Sequence, residues 1–497
     1  MAEINANLTE EKLSSRTKWT FTAGGIGRDM AYSLFSGFLL TYILLTKNVD
    51  GKQFAAISII LVICRIWDAI NDPIMGGIIE NTRSKWGKFK PWIFLGVITN
   101  SIVLVLVFAL PITQWAYVIA LVFLYLLWDI TFTMNDIAYW SMLPALSSNP
   151  KERSTLTAMA NLFADIGSIV ALGLIPIFTA GESTLFGNAV TAYAVIAIVI
   201  ALVFLGCQMM TVFGAKERAG ALIPVEKIGV KKMASIIFKN DQLLWTSLAM
   251  LLYNFGGSMI LAFGSMYVYF EFSYDGTLVF YLTAAYAIVT VLSNVFYPKT
   301  ADKLTRRQIQ LFSTLLAIFG YLVFFLTGIA WPMNFWILAV SLLFIGYGQQ
   351  TFYNILTISI QNTVEYNELK TGRRDESLIF AVRPFMAKMG SSLQQLAIMA
   401  VYLAVGVTSI TKQISEAENQ AAQGLITESV KLGNIREILT QVTPQMKEAF
   451  RAAIAFIPIV LMIGAYLVLR LKYKIDEKFY DDILKQIEEK KKAKVEN

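Results

Sequence analysis

The 497-residue chain contains no histidine. That absence removes Ser-His-Asp catalysis, most zinc centres and any histidine-borne proton relay. Cysteine is almost missing too. Cys64 and Cys207 both stand inside apolar runs and read as small packing residues, with no disulfide or metal framework. No ATP-binding motif occurs, which argues against a primary pump. No nucleophile–base pair or metal cluster is visible, so an enzyme is not expected. Charge is scarce: 15% of residues are charged and 56% are hydrophobic, where a soluble domain carries about 25% charged residues. Lipid is therefore the expected solvent.

What the chain has instead is long apolar runs. A spanning helix needs about 20 mainly apolar residues. Segments that qualify run roughly over 19–46, 54–79, 91–112, 115–146, 155–180 and 187–214, then 243–271, 277–298, 309–330, 334–364, 376–409 and 448–472. The expected fold is an all-α membrane protein of twelve transmembrane helices in two six-helix halves. The halves are 1–214 and 243–472, joined by a middle loop at 215–242. The stretch 410–447 reads as an amphipathic outer loop, a surface cap without chemistry, and 473–497 as a solvated tail. Residues 1–17 are polar and no cleavable signal peptide is apparent.

The net charge of +7 could signal nucleic acid, but the basic residues fall in short loops. Arg83, Lys85, Lys88 and Lys90 follow the second segment, and none separates the third from the fourth. Lys151 and Arg153 come next, then Lys216, Arg218, Lys227, Lys231, Lys232 and Lys239 in the middle loop. Lys299, Lys303, Arg306 and Arg307, and later Lys370, Arg373 and Arg374, continue the alternation. These are topology signals. They put both termini in the cytoplasm and the chain in the cell membrane.

Charges inside the spans carry the functional reading. The first half holds Asp29, Asp68, Asp72, Asp129, Asp136 and Asp165, with Arg28 and Arg65. An ionisable group at the bilayer centre costs about 2.5–3.5 kcal/mol, so six carboxylates facing lipid would cost about 15–20 kcal/mol. They must line a wet interior or bind something positive. Spans seven to ten carry almost none beyond Glu271 and Glu365, and span eleven then has Arg383 and Lys388.

Asp68, Asn71 and Asp72 lie at i, i+3 and i+4 and share one helix face. Together they offer half of an oxygen shell for a small hard cation. Arg65, one turn earlier, is an alternative ion-pair partner for Asp68, which would leave Asp72 unassigned. Asp129, Thr133, Asp136 and Trp140 share a face of the fourth segment. There a carboxylate and a hydroxyl can complete a cation shell, while the indole suits either packing or the apolar face of a sugar. Gly24, Gly25 and Gly27 read as close helix packing and not as a phosphate loop.

The run Arg65-Ile-Trp-Asp-Ala-Ile-Asn-Asp-Pro-Ile-Met-Gly76, then Asn81-Thr-Arg-Ser-Lys-Trp-Gly-Lys-Phe-Lys-Pro-Trp92, resembles the glycoside–pentoside–hexuronide:cation symporters of the major facilitator superfamily. Shorter matches at Asp136–Trp140, Lys151–Arg153, Lys239–Gln242 and around Lys388 extend the likeness over nearly the whole chain. The resemblance implies cation-coupled symport of a glycoside or oligosaccharide by alternating access. It maps a site for Na+ or H+ onto Asp68, Asn71, Asp72, Thr133 and Asp136. It maps a sugar site onto Asp29, Asp136 and Trp140, with Lys388 linking the two. The implied partners are a sugar, a monovalent cation and the bilayer, with no further cofactor and no nucleic acid.

The chain also departs from the family's melibiose carriers. Asn161 replaces an arginine, Arg28 a lysine, Phe132 a tyrosine and Tyr353 a tryptophan, and Arg383-Pro384 stands where those carriers are uncharged. Arg383 is expected either to pair with a first-half aspartate or to grip the carboxylate of a hexuronide. A lipid carrier or exporter on the same fold is the remaining alternative.

Overall fold

In hydrocarbon a backbone must satisfy its own N–H and C=O groups, and a single segment does so only as a helix. The computed structural model describes residues 13–147, 149–217, 237–257, 259–372 and 376–495. Most of the middle loop (Arg218, Lys227, Lys231 and Lys232 included) and Arg373 and Arg374 lie outside the described residues.

The first half comprises α1 (Ser15–Thr46), α2 (Gly51–Glu80), α3 (Lys90–Ala109), α4 (Gln114–Leu146), α5 (Pro150–Thr179) and α6 (Ala189–Gly214). In the second half, α7 (Asp241–Gly257) and α8 (Met259–Glu271) form one span. After them come α9 (Gly276–Ala301), α10 (Arg306–Leu326), α11 (Phe335–Thr371) and α12 (Glu376–Val405). The chain closes with α13 (Val407–Ala422), α14 (Glu428–Thr440), α15 (Pro444–Lys472) and α16 (Glu477–Val495). Among the described residues, eleven spans are long and apolar enough to cross a membrane, and the bent pair α12–α13 makes a twelfth. The fold is all-α, with twelve membrane helices in two halves.

Within the first half α1 packs on α5 and α6, and α3 on α4 and α6. Glycine permits this. A Cβ on Gly27 would stand 2.5 Å from the Phe204 Cα on α6, so the two backbones need a residue without a side chain there. The halves meet along two seams, α2 against α12 and α5 against α9.

Two segments do more than the sequence reading gave them. The 410–447 stretch is not merely a surface cap. After α12 the chain turns at Gly406, in the left-handed region at φ 83°, and bends by 84° into α13. Buried Glu418 there pairs with buried Lys431 at 3.3 Å and accepts a 2.6 Å hydrogen bond from the Ala189 N–H, which opens α6. A carboxylate is well placed at that positive helix end. Asn419 Nδ2 donates to the Thr46 carbonyl at 2.8 Å, and the Asn48 N–H donates to Ser415 Oγ at 2.9 Å. The second half's cap is thus bonded to the first half at one end of the bundle.

The tail is not simply solvated either. Its helix α16 buries Ile483 and Ile487, with Ile475, against Tyr366 and Leu369 of α11. Asp476 and Glu477 pair with Arg307 and Arg306. Lys/Glu-rich composition hid an apolar residue at every fourth position, Ile475, Phe479, Ile483 and Ile487.

Glu418→Ala would strand the Lys431 ammonium, and breaking one partner of a buried pair costs about 3–5 kcal/mol. The melting temperature in detergent should fall, and the Glu418→Leu/Lys431→Leu double variant should recover most of the loss. A single variant that melts with the parent would show that the pair does not hold the cap.

Candidate solute and cation site

Helical spacing puts Asp68, Asn71 and Asp72 on the α2 face that meets α12, and α12 supplies the opposing charge. Lys388 Nζ stands 3.0 Å from Asp68 Oδ1 and also contacts Asp72 Oδ2. Thr133 of α4 donates to Asp72 Oδ1 at 3.4 Å, and Asn71 Nδ2 donates to Asp129 Oδ2 at 3.2 Å. One ammonium from the second half therefore bridges two carboxylates of the first. Arg65 is not the observed ion-pair partner of Asp68; it lines a neighbouring cavity.

A second cluster centres on Arg28, which is buried. Its guanidinium holds Asp29 Oδ2 at 2.5 Å and Asp136 Oδ1 at 2.9 Å, and its Cζ lies 4.7 Å from the centre of the Trp140 ring. A fork can hold two acids and present its flat face to an indole at once. Of the two sets to which the resemblance assigned Asp136, it stands here with Asp29 of the sugar set. It is drawn to Arg28, and the carboxylate beside Asn71 is Asp129, which the resemblance did not assign to either site. The signal for Asp129 was present in its place on the Thr133 face.

The remaining candidates scatter. Asn161 and Asp165 are exposed on α5. Tyr353 of α11 accepts a 2.9 Å hydrogen bond from Arg383 Nε and stacks on Tyr253. Arg383 is exposed and does not reach a first-half aspartate in this conformation. Among the described residues no group of three or more acids, cysteines or histidines has metal-holding geometry. Between Asp68 and Asp72 the positive charge is that of Lys388.

On the cap side of the Lys388 bridge lies a cavity of about 390 Å³ between the halves. Arg65 and Tyr125 line it from the first half, and Thr283, Ser391, Gln394 and Gln395 from the second. Beyond it α5 and α9 close together, since a Cβ at Gly276 would collide with the Pro176 carbonyl.

Two helical halves that meet at a seam of compensated charge define a protein of the major facilitator type. Residues 20–477 match the family described as MFS/sugar transport protein. The chain belongs to that family, within the glycoside–pentoside–hexuronide:cation symporters. It is 28% identical to a lactose permease of Leuconostoc lactis over 81% of this chain and 65% of that protein. It is 23% identical to a glucuronide carrier protein homolog of Escherichia coli over 97% of both. The chain spans only 65% of the length of that lactose permease. Among solved structures it resembles the nucleoside transporter NupG, with TM-score 0.56 and 14% identity over 92% of this chain and all of that one. It also resembles a D-xylose-proton symporter, with TM-score 0.55 and 13% identity over 87% and 98%. Both likenesses concern the fold alone.

Lys388→Gln removes the charge that compensates Asp68 and Asp72, and an external cation should take its place. Sodium should then raise the variant's melting temperature more than the parent's. A ligand at a hundred times its Kd stabilises by about 2.7 kcal/mol. Equal sodium responses in variant and parent would dissociate Lys388 from cation binding.

Proposed function

We propose that the protein is a secondary transporter that carries a glycoside together with a monovalent cation. The observation that carries this reading is Lys388 held between Asp68 and Asp72 at the seam of the halves. Around that seam and the Arg28 cluster stand Asp29, Asp68, Asp72, Asp129 and Asp136, five acids, against the bases Arg28, Arg65 and Lys388, three. The set is short of two positive charges, and a low-dielectric interior penalises that deficit. A bound cation or protons would correct it. Asn71 spends its Nδ2 on Asp129, which leaves Oδ1 as a neutral oxygen for a hard cation. Sodium is the better fit on that ground.

The sugar half of the reading rests on Asp29 and Asp136, oriented by Arg28 beside Trp140. Carboxylates accept hydroxyl hydrogens, and an aromatic face covers the sugar's apolar side. The basic loops lie at the end opposite the cap, so the positive-inside rule makes that end cytoplasmic. In this structure the outer end is then the closed one.

Membrane vesicles with an imposed sodium gradient test the proposal, using labelled lactose, raffinose and methyl glucuronide. At least one sugar should accumulate, and Asp68→Cys or Asp72→Cys should abolish accumulation while sparing some binding. Normal sodium-driven accumulation in both variants would sink the assignment. If sodium leaves sugar affinity unchanged from mildly acidic to mildly alkaline pH, coupling is to protons.

Arg383 favours one narrower reading, a hexuronide substrate. Its Nε is spent on Tyr353, but the guanidinium is exposed, which leaves its outer nitrogens available for a carboxylate. Methyl glucuronide should then outcompete methyl glucoside, and Arg383→Gln should erase the difference. Equal competition by both, with equal losses in the variant, excludes the acidic sugar.

A further inference from the structure

Away from the aspartates, three carboxamides meet in the second half. Asn294 of α9 faces Gln350 and Asn354 of α11. Asn294 Oδ1 accepts from Gln350 Nε2 at 3.0 Å and from Asn354 Nδ2 at 3.0 Å. Gln350 Nε2 also reaches Asn354 Oδ1 at 3.4 Å. Asn294 is exposed and the other two are half-buried.

Three amides that served only to glue two helices would be expected to spend their capacity on one another. These do not. The two donors converge on one carbonyl, Asn294 Oδ1. Among the described residues that leaves the Asn294 NH2 group as a donor without an acceptor and the Gln350 carbonyl as an acceptor without a donor. A donor and an acceptor side by side are what one hydroxyl needs, because its oxygen accepts while its hydrogen is given away.

Their position points to the transport path. Asn294 follows Thr283 by eleven residues, three helical turns, and so shares its face. Thr283 lines the cavity between the halves. Gln350 and Asn354 share a face of α11 with Tyr353, which receives Arg383 from α12, the helix that carries Lys388. Hydrocarbon on that face would leave the spare amide groups unsatisfied, at a cost of several kcal/mol each. A wet cavity removes the cost.

We propose that Asn294 and Gln350 form a second-half subsite for a single sugar hydroxyl, with Asn354 as the positioning residue that holds Asn294. The subsite rests on the glycoside reading and deepens it. The first half grips the sugar by charge, and the second half selects it by the place of one hydroxyl. A neutral polyol edge suits this subsite. A carboxylate would satisfy the donor and set its charge against the Gln350 carbonyl.

Equilibrium binding to the purified full-length chain tests this, with lactose, raffinose and methyl glucuronide as probes and the monodeoxy derivatives of the tightest binder as the series. Asn294→Ala and Gln350→Ala should each weaken binding about three- to tenfold, the range of a neutral hydrogen bond. The same variants should lose the parent's penalty for one deoxy position and keep it for the others, which a merely structural change would not do. Asn294→Asp keeps the oxygen that ties Gln350 and Asn354 but lacks the donor, so it should reproduce the loss even if the alanine variant does not fold. Variants that retain every deoxy penalty overturn the subsite. If they do so while Asp29→Ala abolishes binding, the glycoside reading stands alone. A parent chain that binds none of the three sugars removes both.

Discussion

The bridge from Lys388 to Asp68 and Asp72 is the constraint on which the arrangement of the halves depends. Two carboxylates on adjacent turns of one helix repel each other, and burial makes each more costly. They become tolerable when a positive charge stands between them, and that charge comes from the other half of the molecule. The α2–α12 seam is therefore an electrostatic joint as well as a packed one. Removing the ammonium from the joint leaves the two carboxylates facing each other, a repulsion that a bound cation or a proton would relieve. Under the proposed function, opening the seam and binding that charge become one equilibrium.

The second cluster follows from the first. Arg28 pairs with both Asp29 and Asp136 through the fork of one side chain, and α1 approaches α6 closely at the neighbouring Gly27. With Asp136 held there, Asp129 is left to meet Asn71. The first half so contains two charge centres on one face of α4, one leaning on the second half through Lys388 and one satisfied within its own half. A solute that touches Asp29 or Asp136 must compete with Arg28, whereas a cation at Asp68 and Asp72 must compete with Lys388.

Helix-face arithmetic made much of this legible. The spacing of Asp68, Asn71 and Asp72, and of Asp129, Thr133, Asp136 and Trp140, placed each set on one face, and the scarcity of charge elsewhere marked those faces as interior. Partner choice across the seam was not legible, because spacing along one helix says nothing about which residue of another helix arrives opposite. The charge inside the eleventh span marked Lys388, but only the resemblance linked it to the cation and sugar sets, and it left Asp136 assigned to both. The cap and the tail differ in what was legible. The amphipathic face of 410–447 was read, but its bonds to the first half were not, while in α16 a polar-rich composition conceals a single buried face. The amide group of Asn294, Gln350 and Asn354 carries no charge, so a search for intramembrane charge passes over it.

The bridge and the cap lie on the same piece of helix. Val405 stands seventeen positions beyond Lys388 along uninterrupted α12, a rod of about 25 Å at 1.5 Å per residue. Pro384, the proline inside α12, precedes Lys388 and lies on the far side of it from the cap. At the other end Gly406 turns the chain directly into α13, which is bonded through Glu418 and Asn419 to α6 and α1. Each of those hydrogen bonds is worth about 0.5–3 kcal/mol net, the upper part of the range applying where a charge takes part. A few such bonds hold the closed end with an energy comparable to that of binding a small solute. A tilt of α12 that withdraws Lys388 from Asp72 must also shift the start of α13. The α13 helix also buries Val407, Ile410, Ile414 and Ala417 in the main apolar core, so such a shift must disturb apolar packing as well as these directional contacts.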